Sequence, residues 1–194
     1  MGKRIVIIQG HPDPRPERLG HALVAAYGLG AREGGHELRS IDVGRLDFPL
    51  LRNRESWDET PLPESLRDAQ AAIQWAEHLA IFFPLWLGTM PALLKAFFEQ
   101  VLRPGFAFRM EGAGRWHKLL EGRSARIVVT MGMPAFIYRW YFRAHGIKSF
   151  ERNILQFVGI GPVQESLIGM IEGRDASVRE RWLAKLTELG RRGE

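Results

Sequence analysis

Hydrophobic residues along this chain follow two alternating rhythms. The first is the unbroken apolar run, seen as IVII within Lys3–Gln9 and AIFF within His78–Phe83. Runs of this kind read as strands buried on both faces. Further strands are expected at His36–Val43, Ala125–Met131 and Val163–Met170. The second rhythm is helical. Glu17–Ala31 sets Leu19, Leu23, Ala26 and Tyr27 on one stripe, with Gly34 and Gly35 as its stop. Pro63 opens a helix that runs to Trp75. Behind Pro91, a residue the first helical turn tolerates, Leu93, Phe97 and Val101 recur every four positions, as do Leu94, Phe98 and Leu102. Residues 135–158 read as mostly helical with a break near Gly146. Ser177–Leu189 closes the pattern, with Val178, Trp182, Leu186 and Leu189 facing inward. Residues 44–62 have no clear period, and a connection of that length in a compact domain is often functional or covered by a partner.

Strands alternating with helices predict an α/β fold over 1–194 as a single domain: a doubly wound, five-stranded parallel sheet of order 2-1-3-4-5 with helices on both faces. Ligands of such sheets bind outside the carboxyl ends of strands one and three. Three loops leave the sheet at that end: GHPDPRPERLG, PLWLGTMP and TMGMP. Each is rich in glycine or proline and poor in the Asp, Asn and Ser of ordinary surface turns.

Composition narrows the chemistry. With no cysteine there is no disulfide framework, thiolate nucleophile or cysteine metal site, and a reducing cytoplasm is the default compartment. No apolar run approaches the ~20 residues of a membrane span, and the first strand is too short and too soon followed by QGHPDP to be a signal peptide. The net charge of +5 is dispersed, Arg and Lys alternating with Glu and Asp. That describes a solvated surface better than a nucleic-acid footprint.

The first loop has neither GxGxxG nor GxxxxGK[ST]. It leads through His11, Arg15 and Arg18 to a helix N-terminus, a natural phosphate seat. In the next loop, Trp86 and Leu87 are placed to line the edge of a flat ring; Trp86 could equally cap the core or pack in a dimer contact. Thr130–Pro134 adds a hydroxyl, a glycine that permits close approach and backbone donors. A phosphate seat beside an apolar, donor-lined slot fits a flavin. An acidic cluster of the receiver type is missing, Asp13 being a poor substitute for one, and so is the G-x-S-x-G elbow of serine hydrolases.

HPDPRPERLGHAL, PLWLGTMPALLKAFFEQVLRPGFAF and VVTMGMP resemble the flavodoxin-like NAD(P)H:quinone oxidoreductase family. The family includes quinone reductases of the modulator-of-drug-activity type and ancillary subunits of potassium efflux systems. The resemblance implies a cytoplasmic homodimeric flavoprotein, with FMN or alternatively FAD, that takes hydride from NADH or NADPH and passes it to a quinone-class acceptor by two-electron ping-pong transfer. It places His11, Arg18, Leu19 and Gly20 at the flavin phosphate. Pro84, Leu85, Trp86 and Leu87 would lie beside the isoalloxazine, and Thr130, Met131, Gly132 and Met133 at its pyrimidine end. Phe106 and Phe108 would line the acceptor pocket, across the dimer interface. Tyr138 and His145, with Tyr141 as a competitor, are the candidates for proton delivery. The chain departs from the family in having Arg18-Leu19-Gly20 where relatives carry a small hydroxyl, an aromatic and Asn, and TMGMP where relatives often show TTGG. The second reading implied by the family is a regulatory subunit that docks on a membrane transporter through the 44–62 region.

Overall fold

The computed structural model describes residues 2–111, 114–171 and 176–194. Five parallel strands form the central sheet: β1 (Arg4–Gln9), β2 (Glu37–Asp42), β3 (His78–Pro84), β6 (Ser124–Thr130) and β7 (Val163–Ile168). Their order is β2-β1-β3-β6-β7, the expected doubly wound arrangement. β1 pairs Ile8 with Ile41 on one side and with Ile81 on the other, so its apolar run has no solvent face. All seven residues of β3 are buried, which is why the sequence shows no alternation there.

Helix α1 (Leu19–Glu33) and the closing helix α8 (Ala176–Arg192) cover one face. They meet so closely that a Cβ on Gly30 would lie 1.8 Å from the Thr187 carbonyl oxygen. Tyr27, Leu23, Leu186 and Leu189 fill the space between these helices and the sheet. The other face carries α3 (Arg67–Trp75) and α4 (Ala92–Val101), with a short α2 (Arg54–Asp58) ahead of them. On α4 the stripe Leu94, Phe97, Phe98 and Val101 is buried, and each such side chain contributes about 1.5–3 kcal/mol of burial free energy. Pro91 stands just before this helix, in extended conformation, and its carbonyl accepts the Lys95 N–H at 3.1 Å.

The long segment 44–62 is fixed by side chains from elsewhere. Gln100 donates to the Pro49 carbonyl at 2.6 Å, Ser65 to that of Asp47 at 2.6 Å, and the buried Arg103 guanidinium to that of Thr60. Two short strands that the hydrophobic pattern does not announce, β4 (Phe108–Glu111) and β5 (Arg115–Lys118), pair antiparallel outside the main sheet. The helical stretch expected over 135–158 is broken earlier than Gly146. It comprises α5 (Ala135–Trp140), a turn with Arg143 and Ala144 at positive φ, α6 (His145–Phe150), a π-helical turn over 151–155 and α7 (Gln156–Val158).

Candidate active site

At the topological switch point, β1 is flanked by β2 and β3, and the loops that follow β1 and β3 lead to opposite faces. The crevice between them is a shallow dip lined by Gln9, His11, Gly20, Pro84 and Thr130, among others. The first and third strand loops and the end of β6 therefore converge, as expected of an open α/β sheet.

The first loop is organised by Asp13. Its carboxylate accepts from Arg15 Nε at 2.9 Å and from Arg18 Nε at 2.8 Å, while its backbone N–H donates to His11 Nδ1 at 3.0 Å. The Arg15 guanidinium holds the Asp13 carboxyl well below the usual carboxylate range, assisted by Arg18. Arg15 and Arg18 are matched in number by Asp13 and Glu17, so the positive potential at this end comes from the helix start and not from an excess of cationic side chains. Burial pushes His11 below its ordinary value and the neighbouring His21 adds to that, so the ring is neutral at pH 7. Because Nδ1 accepts from Asp13, the neutral ring carries its proton on Nε2. Arg18 precedes α1 without capping it, the first turn has no acidic residue, and the N–H groups of Leu19 and Gly20 have no acceptor among the described residues. The macrodipole adds positive potential at the same place.

The loop after β3 is a tight turn. Trp86 N–H donates to the Thr89 carbonyl at 2.9 Å and Thr89 N–H returns to that of Trp86 at 3.1 Å. The two residues at its tip, Leu87 and Gly88, have φ of 47° and 82°. Positive φ at both tip positions is the type I′ pattern, usually met by Asn and Gly. A leucine there is strained, and its side chain is fully exposed. Trp86 is half exposed and meets His11 edge-on, ring centroids 6.3 Å apart. It therefore borders the dip and does not cap the core.

Tyr138 anchors this turn from behind. Its side chain is 1% exposed, and its hydroxyl donates to the Gly88 carbonyl at 2.9 Å and accepts the Ile147 N–H at 3.3 Å. Burial raises its pKa, so it stays a neutral donor. Gly146 is required beside it, because a Cβ there would lie 2.1 Å from the Gly88 oxygen. His145, the preceding residue, is exposed, and Tyr141 faces outward with Phe136, Trp140 and Phe142.

In the third loop Thr130 is buried and its carbonyl accepts the Leu85 N–H at 2.7 Å, tying the second loop to the third. The carbonyls of Met131 and Met133 are taken by Ile171 and Met170, whereas the N–H groups of Gly132 and Met133 have no acceptor among the described residues. Phe106 and Phe108 sit elsewhere. Phe108 stacks on Trp116 at 4.4 Å and lines a separate cavity of about 280 Å³ with Trp57, Phe98 and Phe157. Sequence reading missed Gln9, a polar residue ending an apolar run, which the structure places on the floor of the dip.

Fold and site together define an open α/β protein with a candidate ligand crevice at its switch point. The family model described as "Flavodoxin-like fold" matches residues 3–189, so the chain belongs to that family. It is 28% identical over 178 residues to a ribosyldihydronicotinamide dehydrogenase-like protein of Penicillium crustosum, a match spanning 78% of this chain and 64% of that protein's length. It is 26% identical to an FMN-dependent NADH:quinone oxidoreductase of Nitratidesulfovibrio vulgaris, over 92% of this chain and 93% of the relative. Among solved structures, the NAD(P)H:quinone oxidoreductase of Methanothermobacter marburgensis superposes with a TM-score of 0.82 at 25% identity, covering 100% of both chains.

Proposed function

We propose that this protein is a flavin-dependent NAD(P)H oxidoreductase, with FMN as cofactor, that reduces quinones or related acceptors by two-electron ping-pong transfer. The observation that carries this reading is the convergence of three strand-end loops on one crevice: the first and third hold backbone N–H groups with no acceptor among the described residues, and the second sets Trp86 edge-on to His11. The residues present fit a flavin. Gln9 Nε2 is buried with no partner among the described residues, and the α1 N-terminus lies uncapped beside Arg18. The relatives support the oxidoreductase reading, and one of them is named as FMN-dependent. They do not support the transporter-docking reading.

When bound, the flavin supplies reversible hydride chemistry at its ring. The α1 N-terminus, Arg18 and neutral His11 would hold its phosphate. Leu87 and Trp86 exclude water from one edge of the slot. The N–H groups of Gly132 and Met133 would donate to the flavin's pyrimidine end. Tyr138 keeps the Gly88 turn in place and acts as a positioning residue. The exposed His145 is the proton source for the acceptor. Donor and acceptor occupy the same slot in turn, which makes the reaction ping-pong. The exposed aromatic residues Phe136, Trp140, Tyr141 and Phe142 support a second copy of the chain as their cover. A reducing cytoplasm supplies the nicotinamide donor. Among the described residues no helix is long and apolar enough to cross a membrane.

The test is initial-rate kinetics on the FMN-reconstituted protein with NADH or NADPH and a soluble quinone. Parallel double-reciprocal lines are expected. Intersecting lines contradict the ping-pong scheme, and a protein that takes up neither FMN nor FAD contradicts the enzyme reading altogether.

A further inference from the structure

We propose that the side-chain amide of Gln9 is a direct donor to the phosphate of the bound flavin, reaching it through the gap left by Gly20. The inference rests on the flavin reading and assigns a phosphate ligand from the sheet itself, below the loop. Gln9 is the last residue of β1 and is 4% exposed. Its Oε1 accepts the His11 N–H at 3.2 Å, which fixes which way round the amide lies. The amino group is thereby left on the side of the dip, where Nε2 has no partner among the described residues. A buried donor without an acceptor costs free energy comparable to a lost hydrogen bond, so such a group calls for a ligand. The Nε2 group can only donate, so a ligand that satisfies it must accept.

Gly20 indicates where that ligand sits. It is the second residue of α1, and glycine is a poor helix former. Neither strain nor crowding requires glycine here: its φ is not positive, and the nearest atom to a Cβ would be Gln9 Nε2 at 3.7 Å. What glycine leaves open is the line from Nε2 to the first turn of α1. There the free N–H groups of Leu19 and Gly20 and the helix dipole select an anion. On the flavin reading, the anion that accepts from both Gln9 and the helix start is the phosphate monoester of FMN.

The experiment compares the affinities of FMN and of riboflavin, which lacks the phosphate, for the wild-type protein, Gln9→Leu and Gly20→Ala. Flavin fluorescence quenching is read after thermal unfolding has shown each variant to be folded. Loss of one charge-assisted hydrogen bond weakens FMN binding by roughly 10- to 100-fold in Gln9→Leu, while riboflavin binds wild type and variant alike. Gly20→Ala, which keeps the amide but shades it, weakens FMN in the same selective way and covers the case of an unfolded Gln9→Leu. Unchanged FMN affinity in both variants overturns the proposal, as does equal loss for FMN and riboflavin. A wild-type protein that binds neither flavin overturns the functional reading beneath it, an outcome distinct from a variant that fails to differ from wild type.

Discussion

Tyr138→Phe separates a positioning hydroxyl from a proton-donating one. The substitution keeps the buried ring and removes two hydrogen bonds, one to the Gly88 carbonyl at 2.9 Å and one from the Ile147 N–H at 3.3 Å. Ile147 is buried, so its N–H is left without a partner, whereas half-buried Gly88 can turn to water. The loss is about 2 kcal/mol, within the range for buried pairs left half-satisfied. For a domain of this size that lowers Tm by about 4–8 °C. The Gly88 turn also loses its anchor, so the flavin dissociation constant rises, while the pH dependence of kcat keeps its shape. Calorimetry, flavin titration and a pH–rate profile read the three quantities. An unchanged Tm with a kcat that falls and loses one limb of its pH profile would refute this reasoning and return Tyr138 to proton delivery.

Three further outcomes follow from the same geometry. Leu87→Gly removes a residue held at φ 47°, so the flavin-free protein gains about 1 kcal/mol in urea denaturation while flavin or acceptor affinity falls, because the exposed side chain is lost from the slot. Equal or lower stability would mean that the turn is not strained. His78, whose ring is buried with only Nδ1 bonded to Ser124, is pushed down to about 3 by burial, with Lys3 and Arg126 adding to it. Its folded value lies below its unfolded one, so the stabilisation is complete above pH 6.5 and is lost as pH falls toward 3. The contribution to the slope is about 1.4 kcal/mol per pH unit, and His78→Gln should flatten the stability profile measured between pH 6 and 4. Gly30→Ala would force a methyl into the Thr187 carbonyl and is expected to cost at least 1–3 kcal/mol by overpacking, measured as a lower denaturation midpoint. A neutral effect would show that α1 and α8 can separate freely.

The centre of the sheet was legible because β1 and β3 are buried on both faces, and IVII and AIFF have no polar alternation to hide them. The three strand-end loops were legible for a related reason: glycine and proline stand where water-facing polar residues would otherwise collect. Residues 44–62 were not, since Gln100, Arg103 and Ser65 hold them from distant positions by bonds to backbone carbonyls, which no local period records. The β4–β5 hairpin was missed because its strands are only four residues each, too short to establish a rhythm. Tyr138 was singled out by type, yet a six-residue helix rich in aromatics has no stripe to show which ring points inward. Gln9 looked like the polar end of a strand. Only its unpaired Nε2, its bond to His11 and the space above Gly20 set it apart from an ordinary strand end.

The central claim, that the switch-point crevice holds a flavin which relays hydride, is tested most directly by anaerobic titration of the FMN-loaded protein. One equivalent of NADH or NADPH should bleach the flavin absorbance with no acceptor present, and one equivalent of quinone should restore it. Flavin that stays oxidised with both nicotinamides, or that is bleached but not reoxidised by quinone, would contradict the claim.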